Sequence, residues 1–138
     1  GTTGHDVIRA GRGNDTVTGN GGNDIVCAGP GADQVTTQAG EDRILGGSGA
    51  DTIDSGAGPD QLRGGFGADT IAAGAGNDAV AAGPGSDAVD AGDGRNTVTG
   101  GLGDDRLVSG AGPDRLDGGP GTDTCDADGG TNTLLRCE

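Results

Sequence analysis

The chain has 138 residues, 34 of them glycine, a single aromatic (Phe66) and a formal charge of −14. That length fits one domain, residues 1–138, but so little large apolar material excludes an ordinary globular core. The glycines do not recur every third residue, which excludes collagen, and the acidic balance argues against nucleic acid or an anionic membrane as partner.

From Gly1 onward the chain reads as fifteen nonapeptides of the form G-G-x-G-x-D-x-U-x, where U is apolar. They fill residues 1–135 without insertion and leave Arg136, Cys137 and Glu138 as a short tail. Disorder, the other reading of such a composition, has no need of a register. Position four is glycine in every repeat, from Gly4 to Gly130. Position six reads Asp6, Asp15, Asp24, Asp33, Asp42, Asp51, Asp60, Asp69, Asp78, Asp87, Asn96, Asp105, Asp114, Asp123, Asn132. Position eight reads Ile8, Val17, Val26, Val35, Ile44, Ile53, Leu62, Ile71, Val80, Val89, Val98, Leu107, Leu116, Cys125, Leu134.

Glycines at positions two and four predict a tight turn over positions one to six. Positions seven to nine predict a three-residue strand, pointing out, in, out. One inward side chain per nine cannot bury itself, so successive strands must stack. The acids are twenty Asp against Glu41 and Glu138. Solubility alone would not choose so strongly, whereas a short carboxylate held against a turn backbone would. Turn capping alone would accept Asn, Ser or Thr freely, and this column does so only at Asn96 and Asn132.

The nonapeptide, seen clearly in Gly46-Gly47-Ser48-Gly49-Ala50-Asp51-Thr52-Ile53-Asp54, resembles the RTX or hemolysin-type calcium-binding repeat family, over 135 of the 138 residues. The resemblance implies an all-β fold, a right-handed parallel β-roll (a β-solenoid) with two nonapeptides per coil and about 7.5 coils. Odd repeats would form one parallel sheet and even repeats the other, with turns stacked along two edges. A pitch of about 4.8 Å gives a rod roughly 36 Å long.

Stacked turns bring the position-six carboxylates into a column about 4.8 Å apart, which opposes folding unless a cation intervenes. Calcium accepts six to eight oxygens at flexible geometry, and glycine turns can offer carbonyls. Magnesium demands a stricter octahedron, and zinc prefers nitrogen and sulfur. The resemblance implies ions shared by turns one coil apart: Asp6 with Asp24, Asp15 with Asp33, and so on. Eight odd and seven even turns allow at most about thirteen shared sites. Filling all thirteen would turn −14 into +12, so fewer tight sites are expected. Asn96 and Asn132 both lie on the odd edge, where affinity should be weaker. Apolar burial falls far short of the cost of ordering this chain, so folding is expected to be coupled to calcium.

Three cysteines leave one unpaired within the chain. The ending from Thr122-Asp123-Thr124-Cys125 to Arg136-Cys137-Glu138 resembles secreted actinobacterial members of the family, which favours a Cys125–Cys137 disulfide; alternatively Cys125 is a small inward hydrophobe. Cys27 then sits in an outward patch with Val7, Ile25 and Leu45, a surface for self-association or simply a modest apolar area. Outward Thr16, Thr52, Thr70 and Thr124 suggest an ice-binding array, but Gln34, Ala88 and Arg106 break it. His5, the one histidine, and turn serines such as Ser48 and Ser55 lack partners for catalysis, so no enzyme is expected. No apolar run approaches membrane-spanning length. Without a signal peptide or initiator Met in this sequence, a processed chain or an excised fragment is expected.

The expected function is therefore an extracellular or cell-surface calcium-binding repeat protein. Its role would be structural: the open solenoid ends could stack head to tail into a filament. The alternative is a calcium-folded module excised from a secreted toxin, protease or adhesin.

Overall fold

The computed structural model describes all 138 residues. The fold is an all-β, right-handed parallel β-solenoid of about seven turns. One sheet holds the odd strands in the order β1 (Val7–Arg9), β3 (Ile25–Pro30), β5 (Arg43–Ser48), β7 (Gln61–Phe66), β9 (Ala79–Pro84), β11 (Thr97–Leu102), β13 (Arg115–Asp117), β15 (Thr133–Leu135). The other holds β2 (Thr16–Thr18), β4 (Gln34–Thr36), β6 (Thr52–Asp54), β8 (Thr70–Ala72), β10 (Ala88–Asp90), β12 (Arg106–Ser109) and β14 (Thr124–Ala127). Each strand pairs in parallel with the one two repeats away, as in Ile53↔Ile71 and Val98↔Leu116. No helix is long and apolar enough to cross a membrane.

The strands differ from a uniform three-residue expectation. β3, β5, β7, β9 and β11 each run six residues, through position three of the following even repeat. The corresponding odd turns make only single bridges, Ala39↔Ala57, Ala57↔Ala75 and Ala75↔Asp93. The two edges are thus not equivalent. Backbone angles at position two make the same distinction. On the even edge Gly29, Gly47 and Gly65 have φ of 121°, 127° and 123°, well beyond the left-handed helical well. On the odd edge φ is smaller, 93° at Gly56 and 91° at Gly74, and the well is open to side chains: Asn20 (73°) and Gln38 (82°) stand there.

The core is a single file of position-eight residues between the sheets. Twelve of the fifteen are buried, from Val17 to Leu116. Ile8 and Cys125 are partly buried, while Leu134 is exposed. A second inward column was not read from the sequence. Position-one residues Ala28, Ala73, Ala82 and Ala91 join the core, and Thr37, Ser55 and Ser109 are buried in the same column. Two inward positions per repeat, not one, face the interior. The second is Gly, Ala, Ser or Thr in every repeat.

Cys125 and Cys137 form a disulfide with Cα atoms 5.5 Å apart. Beside it, Arg136 makes two hydrogen bonds to Asp117, Nε to Oδ1 at 2.7 Å and Nη2 to Oδ2 at 2.6 Å. Cys27 is free and half-buried on the outer face of the odd sheet. Val7 pairs with Ile25 and Cys27 with Leu45, which brings the expected patch together. A further apolar run follows the even edge, where exposed Phe66 and Leu102 flank Pro84 on consecutive coils.

Candidate metal centre

Each position-six side chain is the last residue of its turn, immediately before a strand. Stacking brings it beneath the same position one coil back. The result is one hydrogen bond repeated up both edges: the backbone N–H of each position-six residue donates to Oδ1 of the position-six residue eighteen further on. Examples are Asp15 to Asp33 at 2.8 Å, Asp51 to Asp69 at 2.9 Å and Asp87 to Asp105 at 2.9 Å. The pairs anticipated from the repeat, beginning with Asp6 and Asp24, are all brought together in this way, through Asp114 and Asn132.

The second carboxylate oxygen behaves differently. Oδ2 of Asp15, Asp24, Asp33, Asp42, Asp51, Asp60, Asp69, Asp78, Asp87, Asp105, Asp114 and Asp123 is buried without any hydrogen-bond donor. A buried polar atom without a partner costs about 1–3 kcal/mol, more when charged, and twelve in register demand a common explanation. Gly46 lies directly against these atoms. A Cβ added there would lie 2.6 Å from Asp51 Oδ2 and 2.6 Å from the Gly64 carbonyl oxygen. Two oxygens thus converge on a position-one glycine, where a side chain would not fit. The oxygen-only donor set suits a hard cation such as calcium. No group of three or more His, Cys, Asp or Glu side chains converges anywhere, so an ion on the ladder would draw the balance of its ligands from turn carbonyls.

Three position-six residues depart from the pattern, all on the odd edge. Asp6 Oδ2 accepts from Thr2 N at 2.5 Å and from Thr2 Oγ1 at 3.0 Å. Asn96 Nδ2 donates to the Gly92 carbonyl at 3.0 Å. Asn132 Nδ2 donates to the Gly129 carbonyl at 2.5 Å. The even edge has an orphaned Oδ2 in all seven of its turns.

Burial pushes the carboxyl groups of Asp51, Asp60, Asp69 and Asp105 above their ordinary range, and those of Asp78 and Asp87 up to about 6. Neighbouring carboxylates add to the effect, Asp60 on Asp78 and Asp69 with Asp105 on Asp87. Asp6 shifts downward, chiefly through the Thr2 backbone hydrogen bond. The charged ladder is therefore disfavoured unless something positive accompanies it.

A second, outer ladder had not been anticipated. Position-five residues Asn14, Asn23, Asn77 and Asp104 accept through Oδ1 from the backbone N–H of position five one coil on. The sequence signal was available, since Asn and Asp recur there without any apolar residue of size. No catalytic pairing forms: His5 Nδ1 faces the Asn23 carbonyl, and Ser55 Oγ donates to the Ala73 carbonyl.

Comparison with curated proteins found no match. The description of the family whose pattern does match is the RTX calcium-binding nonapeptide repeat, in four copies over residues 1–35, 28–62, 63–98 and 99–134. Those copies cover nearly the whole length, and their calcium chemistry agrees with the orphaned Oδ2 ladder. The chain belongs to the RTX family of calcium-binding nonapeptide repeat proteins.

Proposed function

We propose that the ladder binds calcium between turns one coil apart and that this binding drives folding. The twelve orphaned Oδ2 atoms carry the reading, because each needs a positive partner that the protein does not provide. Asp15, Asp33, Asp51, Asp69, Asp87, Asp105 and Asp123 form the even-edge set. Asp24, Asp42, Asp60, Asp78 and Asp114 form the odd-edge set. Bound between turns, the ion supplies charge neutralisation; the chain supplies the stacked carboxylates and glycine-turn carbonyls. Coupling to folding supports a role outside the cell, where calcium is plentiful. Far-ultraviolet circular dichroism with calcium and with chelator tests the proposal. A β-rich spectrum is expected with calcium and a disordered one without it; a spectrum unchanged by chelation counts against it.

A structural, self-assembling role is the reading we favour for the biology, supported by the in-register outer patch of Val7, Ile25 and Leu45 around the free Cys27. The competing role is a calcium-folded module of a secreted toxin, protease or adhesin. Electron microscopy in calcium separates them, since filaments support assembly and dispersed short rods support the module.

A further inference from the structure

We propose that Asn96 replaces a cation with its own side chain, so the odd edge contains a rung that closes without metal; this rests on the calcium reading above. Asn96 keeps the ladder's structural half intact. Its Oδ1 accepts from the Asp78 N–H at 3.0 Å, and its own N–H donates to Asp114 Oδ1 at 2.8 Å. Only the second terminal atom differs. Where Asp presents a bare oxygen, Asn96 presents an N–H that donates to the Gly92 carbonyl of its own turn at 3.0 Å.

The amide orientation follows from the network. Reversing it would aim the NH₂ at the Asp78 N–H and an oxygen at the Gly92 carbonyl, a clash of like groups at both ends. In the observed orientation Asn96 is 1% exposed, and both of its ends are satisfied. A calcium ion needs oxygens at this point and meets amide hydrogens instead, while the Gly92 carbonyl is already engaged. The amide thus supplies locally what an ion supplies elsewhere, positive polarity against a turn carbonyl, at no net charge.

Asn132 repeats the device, since its Oδ1 accepts from the Asp114 N–H at 2.9 Å and its Nδ2 donates to Gly129. The odd edge therefore alternates in its last three turns: amide, carboxylate, amide. Asp6 reaches the same end through Thr2. The even edge has no substitute anywhere and forms the uninterrupted cation spine.

The test measures bound calcium per chain by native mass spectrometry, with folding followed by circular dichroism. Asn96→Asp is expected to bind one more calcium ion than the unmodified chain, with both β-rich in calcium. Asp87→Asn, the converse on the even edge, is expected to remain folded in calcium with one ion fewer. An unmodified chain that binds calcium, with Asn96→Asp binding no more, overturns the inference and leaves the calcium reading standing. An unmodified chain that binds none overturns both. Should Asn96→Asp fail to fold in calcium, Asp87→Asn decides: an unchanged ion count or loss of fold overturns the inference.

Discussion

The Asp33 N–H donates to Asp51 Oδ1 across 2.8 Å, joining two coils while leaving Asp51 Oδ2 free of any donor. Each ladder carboxylate therefore has two separable roles. Asp51→Asn keeps the acceptor and removes the charge; Asp51→Ala removes both and strands a buried N–H, at about 1–3 kcal/mol. Calcium titrations followed by circular dichroism are expected to show a higher midpoint for Ala than for Asn. Equal midpoints would mean that the hydrogen bond between coils contributes nothing.

Acid and calcium are expected to act as alternatives. Asp78 and Asp87, raised to about 6, hold protons in the folded chain that the unfolded chain has released. The contribution of these two carboxyls to the stability of the metal-free fold is then fully present below about pH 4 and is lost as pH rises through about 6. Circular dichroism in chelator should show β-structure returning on acidification from pH 7 toward 4.5. In calcium the same acidification should raise the half-saturating concentration, because protons compete for the carboxylates. A chelated chain that becomes less ordered in acid would contradict the raised values.

At the tail, Asp117 runs the other way. Hydrogen bonding to Arg136 holds its carboxyl below the usual range, so its stabilising contribution is present at neutral pH and is lost as pH falls. Arg136→Ala is expected to remove that acid-sensitive contribution, seen as a smaller difference in β14 and β15 hydrogen exchange between pH 7 and pH 3.

Glycine columns permit a matched pair of substitutions. Gly11 and Gly58 both have positive φ, 119° and 132°. A Cβ at Gly11 would meet nothing within 4 Å, while one at Gly58 would fall deep inside contact with the Gly40 carbonyl oxygen. Gly11→Ala is expected to cost about 1–3 kcal/mol from backbone strain alone. Gly58→Ala should prevent the coils from stacking and abolish the cooperative melt in calcium. Similar melts for the two would show that the close approach between coils is not limiting.

The Cys125–Cys137 bond closes a short loop at one end of the rod. Replacing both residues with serine is expected to destabilise the last coil by about 2–4 kcal/mol. Because each coil touches only its neighbours, the loss should stay local. Hydrogen exchange should therefore speed up at β14 and β15 and remain unchanged at β5 to β9. Acceleration spread evenly along the rod would contradict this.

The repeat, its register and the Asp ladder were legible because each rests on one residue type at a fixed interval. Ile53 and Asp51 declare themselves in every neighbouring repeat. The position-one column was hidden because Ala73, Ser55 and Gly46 read as turn filler; only the path of the backbone makes them inward. The difference between the edges was present but unread. Thr2, Asn20, Gln38 and Asp128, the non-glycine residues at position two, all fall in odd repeats. At Asn20 and Gln38 φ lies where side chains are tolerated. The satisfied state of Asp6 and Asn96 could not be read, because it depends on which atom faces Thr2 or Gly92 within a single turn.

The six-residue strands β3, β5, β7, β9 and β11 of the odd sheet and the three-residue strands β2, β4, β6, β8 and β10 of the even sheet set a quantum for growth of the molecule. Removing nine residues ahead of Asn20 would move every downstream repeat to the opposite sheet, placing the Asn20 and Gln38 turns on the side where position two takes φ near 120°. Removing eighteen would keep each repeat on its own side and shorten the rod by one coil. Length variants that still melt cooperatively in calcium should therefore differ by multiples of eighteen residues, and a cooperative nine-residue deletion would show the two sides to be interchangeable.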